Sequence, residues 1–257
     1  MADMLGAPGE AGASPSIATA RVGVPQFNID KAIRVRIIRL GAEGQPVLVV
    51  DRVLADPQRV VDHAAAADFY APPHTHYPGL NAHVPEGYYR TVIAALRQPL
   101  EAAFGLSMRA RLDYFGFLGL STQAAADATP AQRFPHVDSY DPNRLAMVHY
   151  FCDETHGGTG FFRQKATGYE CVDQGRARRY VAEVMVERSR SEGLAPAFPH
   201  AGMPHYDLIG QSDAVFNRLV VYRSHIFHAP LLGAGGAAAD PRSGRLTANG
   251  FITPVSV

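Results

Sequence analysis

The segment Phe134–Asp138 reads FPHVD. A histidine and an aspartate two residues apart on extended chain project to the same side, so one metal ion can take a nitrogen of His136 and an oxygen of Asp138 together. Two protein ligands alone hold an ion poorly. Neutral imidazole plus carboxylate is, however, the mixed donor set of the 2-His-1-carboxylate facial triad, which binds non-haem Fe(II) and leaves coordination positions open. That set needs a second histidine from a distant strand. The run NRLVVYRSHIFHAP offers two, His225 and His228, at the end of an apolar alternation through Leu219, Val220, Val221 and Tyr222. Further on, SGRLTANGFITP places Arg245 and Thr247 at i and i+2 of another β-like run. Arg245 can clamp a distal carboxylate bidentately while the Thr247 hydroxyl donates beside it, which suits a dicarboxylate such as 2-oxoglutarate.

The elements that must position these residues are mostly short β-like runs. From about Arg109 onward RARLDYFGFLGL, LAMVHYF, GTGFFRQK, NRLVVYRS and RLTANGFIT alternate with Gly, Pro and Asp clusters, the pattern of an antiparallel sandwich or barrel. One helical segment, Arg176 to Ser191, interrupts them. Its Arg178, Arg179, Arg188 and Arg190 alternate with Glu183 and Glu187, and the expected reading is a solvated amphipathic face. Upstream, AIRVRIIRL, the turn GAEGQP and VLVVD predict a β-hairpin. Helices are expected over Leu54–Ala67 and Tyr88–Phe104. The Pro- and His-rich stretch between them, YAPPHTHYPGLNAHVPEGY, is expected to be a surface loop. The domain plan is a flexible tail over residues 1–22, an α/β region over 23–108 packing on the core, and a catalytic core over 109–257 with a helical insertion near 176–191.

Composition narrows the function classes. The chain has 257 residues, and its 24 basic side chains balance 24 acidic ones, so no electrostatic ground exists for a nucleic acid or anionic membrane partner. No basic, apolar leader and no uninterrupted apolar stretch of membrane-spanning length occurs, and a cytoplasmic location is the default. Cys152 and Cys171 are too few for a disulfide scaffold and read as reduced packing residues. The GAGG run at Gly233–Gly236 does not lead into a helix and is no dinucleotide fingerprint, and neither a Gly-x-Ser-x-Gly elbow nor a phosphate loop is present.

In the order His-x-Asp, distant His, then Arg-x-Thr, the chain resembles the Fe(II)- and 2-oxoglutarate-dependent dioxygenases. HVDSYDPNRLAMVHYFCDETHGGTGFFR is similar to the core of the prolyl-hydroxylase branch, and NRLVVYRSHIFHAP to its distal-ligand strand, where histidine follows a serine by four residues. The resemblance covers about the C-terminal 145 residues. It selects His228, four after Ser224, over His225 as third metal ligand. It also implies that Arg245 and Thr247, with Tyr150, bind 2-oxoglutarate. The implied fold is mainly β with flanking helices around a double-stranded β-helix (jelly-roll) core. The implied activity is hydroxylation with Fe(II), O2 and 2-oxoglutarate, giving succinate and CO2. Related halogenases lack the carboxylate that Asp138 supplies. The gap from His228 to Arg245 is longer than in most relatives, so Arg242 stays open as the alternative cation. The whole chain also resembles an uncharacterised bacterial family with the same ligand pattern.

Two other classes remain: a cupin-like jelly-roll metal-binding or sensing protein without 2-oxoglutarate turnover, and a silent scaffold whose histidines are structural. The substrate expected for the oxygenase is a small molecule or a peptide or protein side chain, and the chain is compatible with a homodimer. Of the remaining histidines, His74, His76 and His83 are candidates to line a substrate entrance. His149, alternating with Tyr150, belongs on the outer face of its strand, and His200 and His205 are expected to be exposed. Arg163 points either into the barrel toward an acidic substrate group or into a salt bridge.

Overall fold

The computed structural model describes residues 27–73, 76–193, 195–232 and 238–255. The expected tail over 1–22, His74 and the Gly233–Gly236 run lie outside the described residues. The predicted hairpin forms from β1 (Arg34–Leu40) and β2 (Gln45–Asp51), with Ile37 opposite Leu48. The two expected helices follow as α1 (Gln58–Ala65) and α2 (Tyr88–Phe104). Between them lies β3 (Gly79–Ala82), which pairs with β4 (Arg111–Ser121) and buries Asn81 and Ala82. The expected surface loop therefore contains a strand. Four residues flanked by prolines carry too little periodicity to announce one, and only the exposed edge of β4 recruits it.

The remaining elements are β5 (Leu145–Tyr150), β6 (Thr159–Gln164), α3 (Ala177–Arg190), β7 (Tyr206–Ser212), β8 (Arg218–Arg223), β9 (His228–Pro230) and β10 (Arg245–Val255). All pairings are antiparallel. They make a seven-stranded sheet in the order β1-β2-β8-β5-β10-β4-β3 and a three-stranded sheet in the order β7-β6-β9. Among the described residues the molecule is thus mostly β, with three helices. No helix among the described residues is long and apolar enough to cross a membrane.

Packing arranges these parts as four layers. Val92, Leu96 and Leu100 of α2, at helical spacing, press on Leu48, Leu219 and Leu246 from one face of the large sheet. On its other face Val47, Val49, Val220 and Tyr222 meet Phe161 of the small sheet. The far side of the small sheet, through Phe162, Tyr206 and Phe227, is covered by α3. Central strands buried on both faces explain why β2 and β8 read as continuous apolar runs, VLVV and LVV, with no polar alternation. Edge strand β1 is different: Val35 and Ile37 stay exposed beyond the helical layer, interleaved with arginines that disfavour edge-to-edge pairing.

The helix α3 corrects one expectation. Its arginines are solvated, but Glu187 is buried and accepts hydrogen bonds from Gln164 Nε2 (3.1 Å) and Tyr206 Oη (2.9 Å). Burial raises its pKa above the usual carboxylate value. Charge alternation along a helix cannot reveal that one carboxylate has buried polar partners waiting on the adjacent sheet. Arg163 takes the salt-bridge option, pairing with Glu170 (Nε–Oε1 2.9 Å). Glu170 also accepts the N–H groups of Ala42 and Glu43, at 2.9 Å each, and so ties the β1–β2 turn to the small sheet. Gly41 permits this approach: it has φ +63°, and a Cβ there would lie 2.1 Å from Glu170 Oε2. Both cysteines are free and buried, as expected.

His149 does lie on the face opposite Tyr150, but that face is buried beneath α2. Asn217 Oδ1 already accepts the Leu54 N–H, while its Nδ2 donates to the Leu54 carbonyl. Oδ1 therefore takes the Nε2–H of His149 (3.1 Å), which leaves Nδ1 to accept from Tyr88 Oη (2.6 Å). Burial pushes the His149 pKa down to about 3, against the hydrogen bonding from Asn217.

Two outcomes are expected. Glu170→Ala strands two backbone donors and Arg163, and should lower stability by roughly 3 kcal/mol, a drop of roughly 6–12 °C in Tm, read by thermal melts. A neutral buried His149 is protonated in the unfolded chain near pH 6.5 but in the folded one only near 3. Between those values the unfolded state binds the extra proton, so its contribution to stability is present above pH 6.5 and declines as pH falls toward 3. Denaturant melts from pH 7 to 4 should show that decline, and His149→Phe should flatten it.

Candidate metal centre

A 3-10 turn at Pro130–Arg133, closed by a capping box between Thr129 and Gln132, delivers the chain into the extended FPHVD segment. His136 then pairs with His228 as an antiparallel bridge, each N–H donating to the other's carbonyl at 3.0 Å. Asp138 is fixed two residues on by its N–H to the Ser224 carbonyl, 2.9 Å. Directly opposed residues present their side chains on one face, so the two imidazoles face each other with centroids 4.6 Å apart. The Asp138 carboxylate fits between them, Oδ2 3.2 Å from His228 Nε2 and Oδ1 3.6 Å from His136 Nε2.

One ligand-type atom from each of His136, Asp138 and His228 lies within 4.8 Å of the others. His228 Nδ1 donates to the Ile226 carbonyl (3.0 Å), which fixes the tautomer and leaves the Nε2 lone pair facing the cluster. Burial opposes ionisation of Asp138, but the adjacent His228 and His136, by charge and hydrogen bond, hold its carboxyl well below the usual range. Burial likewise opposes charging of His228, and the Asp138 carboxylate overcomes it and raises the imidazole pKa. Access is graded: the His136 side chain is 46% exposed and that of His228 only 7%.

The other candidates differ in burial and in partners. Arg245 is 3% exposed at the start of β10, with Nε and Nη2 donating to the Gly157 (3.3 Å) and Gly158 (3.1 Å) carbonyls. No carboxylate among the described residues pairs with it. Its guanidinium lies 5.8 Å from the centre of the Tyr150 ring. Tyr150 Oη is bonded to Thr159 Oγ1 (2.6 Å), and Thr247, directly across from Tyr150, donates to the Gly119 carbonyl (3.3 Å). Arg242, by contrast, is exposed and paired with Asp62 at 2.7 Å. His225 is buried outside the cluster, its Nδ1 without a partner.

His76 and His83 are exposed on either side of β3, at the far edge of the large sheet, and His200 is exposed. His205 is half-buried and, with Arg133, Phe134, Phe198 and Met203, lines a groove of about 410 Å³ that begins two residues from His136.

Sequence reasoning passed over Tyr222, which it counted only as a member of an apolar alternation. In the structure its ring packs against His228, centroids 4.8 Å apart, and against Phe161 at 5.1 Å. The available signal was its parity with Val220, which puts it on the face that looks toward the small sheet.

No curated protein matches the chain. Among solved structures, HygX from Streptomyces hygroscopicus with nickel and 2-oxoglutarate bound is similar at a TM-score of 0.41 and 13% identity, over 83% of this chain and 84% of that one. A family model described as a family of unknown function (DUF6445) matches residues 31–252, and the chain belongs to that family.

Proposed function

We propose that the protein is a non-haem iron oxygenase that hydroxylates its substrate with O2 and 2-oxoglutarate, releasing succinate and CO2. The observation that carries this reading is the convergence of His136, Asp138 and His228 within 4.8 Å. The donor set suits the ion: two imidazole nitrogens and a carboxylate on one side leave the opposite side open, as a facial site for Fe(II) requires. Iron held there would supply the redox chemistry that couples decarboxylation of 2-oxoglutarate to oxidation of a C–H bond. The chain's own residues bind and orient. His228, locked by the Ile226 carbonyl, and Asp138, tethered through Ser224, define the ligand face.

A second anchor supports the co-substrate. A buried guanidinium without a protein carboxylate is an uncompensated charge, and a bound dicarboxylate would neutralise it bidentately. Arg245 has this character, and Tyr150 and Thr247 flank it with hydroxyls. The inward position of Arg245 and the surface ion pair of Arg242 favour Arg245 for that role. Substrate would approach from the side of His136, the most exposed of the three ligands, where the groove by Phe134 and Met203 opens. The jelly-roll reading is supported by the pairings: β8, β5, β10 and β4 lie side by side in one layer, and β7, β6, β9 and the His136 bridge in the other. A cytoplasmic location and a small-molecule or peptide side-chain substrate belong to the same proposal.

Anaerobic addition of Fe(II) and then 2-oxoglutarate should produce a visible charge-transfer band, absent with either alone. Asp138→Ala and His228→Ala should each weaken binding of redox-inert Mn(II) by roughly 100-fold or more. Arg245→Ala should leave Mn(II) affinity unchanged and weaken 2-oxoglutarate by roughly 10- to 100-fold, the loss of a charged hydrogen-bond pair. Failure of the wild-type protein to bind Fe(II) would favour the silent scaffold, and metal binding without 2-oxoglutarate binding would favour the cupin-like class.

A further inference from the structure

The strand register puts Tyr222 in the middle of the proposed site. On β8 it stands opposite Ala146 of β5, four residues from Tyr150, and Tyr150 stands opposite Thr247, two residues from Arg245. Steps of two and four keep side chains on one face, so Tyr222, Tyr150, Thr247 and Arg245 all look into the space between the sheets. The Tyr222 ring is clamped there between Phe161 of the small sheet, at an interplanar angle of 81°, and the His228 imidazole, at 58°. The ring touches His228 of the cluster and shares its sheet face with Tyr150, whose own ring lies 5.8 Å from the Arg245 guanidinium. The phenol therefore lies between the metal-type cluster and the buried arginine.

The polar neighbours of Tyr222 on that face each have a protein partner. Tyr150 has Thr159, Thr247 has the Gly119 carbonyl, Asn249 donates to Thr247 at 2.9 Å, and Arg245 has two carbonyls. The Tyr222 hydroxyl makes no hydrogen bond with any other described residue. A sealed orphan hydroxyl costs free energy, and a phenylalanine would fill the same space against Phe161 and His228. Tyr222 is only 3% exposed, so its hydroxyl is an unpaired donor inside the core among the described residues.

We propose that Tyr222 is a positioning residue whose O–H donates to a carboxylate of the dicarboxylate held between the His136–Asp138–His228 cluster and Arg245, while its ring sets the plane of the His228 imidazole. This rests on the 2-oxoglutarate reading and assigns the site one more anchor, placed between its two ends.

Calorimetric titration with Mn(II), and then with 2-oxoglutarate at saturating Mn(II), tests it without turnover. Tyr222→Phe keeps the ring and should leave Mn(II) affinity and Tm unchanged while weakening 2-oxoglutarate about tenfold, one hydrogen bond to a charged group. Tyr222→Leu removes the ring as well and should also weaken Mn(II) several-fold, because His228 loses its support. A Tyr222→Phe protein that binds 2-oxoglutarate as tightly as wild type overturns the assignment and leaves the parent reading standing. Wild-type protein that binds Mn(II) but not 2-oxoglutarate overturns both.

Discussion

Two backbone hydrogen bonds between His136 and His228, each 3.0 Å, are the constraint on which the rest of the centre depends. They join a segment that has just left a 3-10 turn to a three-residue strand of the small sheet, whose own register is set by β6, with His228 opposite Phe161. Because directly opposed residues in an antiparallel bridge point the same way, these two bonds alone bring the imidazoles face to face. A slip of one residue would send one ring to the opposite side of the sheet. Asp138 then needs no separate scaffold. Alternation along the extended chain brings it to the same face, and the Ser224 carbonyl holds its backbone.

The inter-sheet space is divided by chemistry. At one end it is filled by Val47, Val49, Val220 and Phe161, whose burial contributes most of the attraction between the layers. At the other it holds Tyr150, Thr159, Thr247, Asn249 and Arg245, a polar group that is almost wholly satisfied internally. Tyr222 stands where the two regimes meet, its ring apolar and its hydroxyl unpartnered. An arginine in such a place is held by carbonyl dipoles, which satisfy its donors without cancelling its charge. The positive charge thus persists inside the protein.

Buried polar networks also bind the layers together away from the site. Asn217 joins β8 to the segment after β2 and to His149, which Tyr88 reaches from α2, so sheet and helix share one hydrogen-bonded chain. Glu170 and Glu187 do the same for the β1–β2 turn and for α3. Each uses a group that a hydropathy pattern assigns to solvent. Such residues explain where the sequence reading was incomplete. The alternation of GTGFFRQK and LAMVHYF announced strands, but whether a polar member of the alternation meets water or a partner depends on what the next layer supplies.

What the sequence by itself determined was local and periodic: the hairpin over 34–51, the helices α2 and α3, five of the long strands, and the same-side projection of His136 and Asp138. Each follows from spacing along one stretch of chain, since a period of two or of 3.6 is a property of the backbone. The family resemblance picked His228 from two histidines three residues apart. Periodicity could not do so, because the chain bends between Ser224 and His228 and the parity of the strand is lost there. Only the tertiary structure decided that His228 closes the cluster while His225 stays outside it, that Arg245 is interior and Arg242 is spent on Asp62, and that the Tyr222 ring packs on His228. Those distinctions depend on which backbone hydrogen bonds form between segments about 90 residues apart, and no local pattern records them.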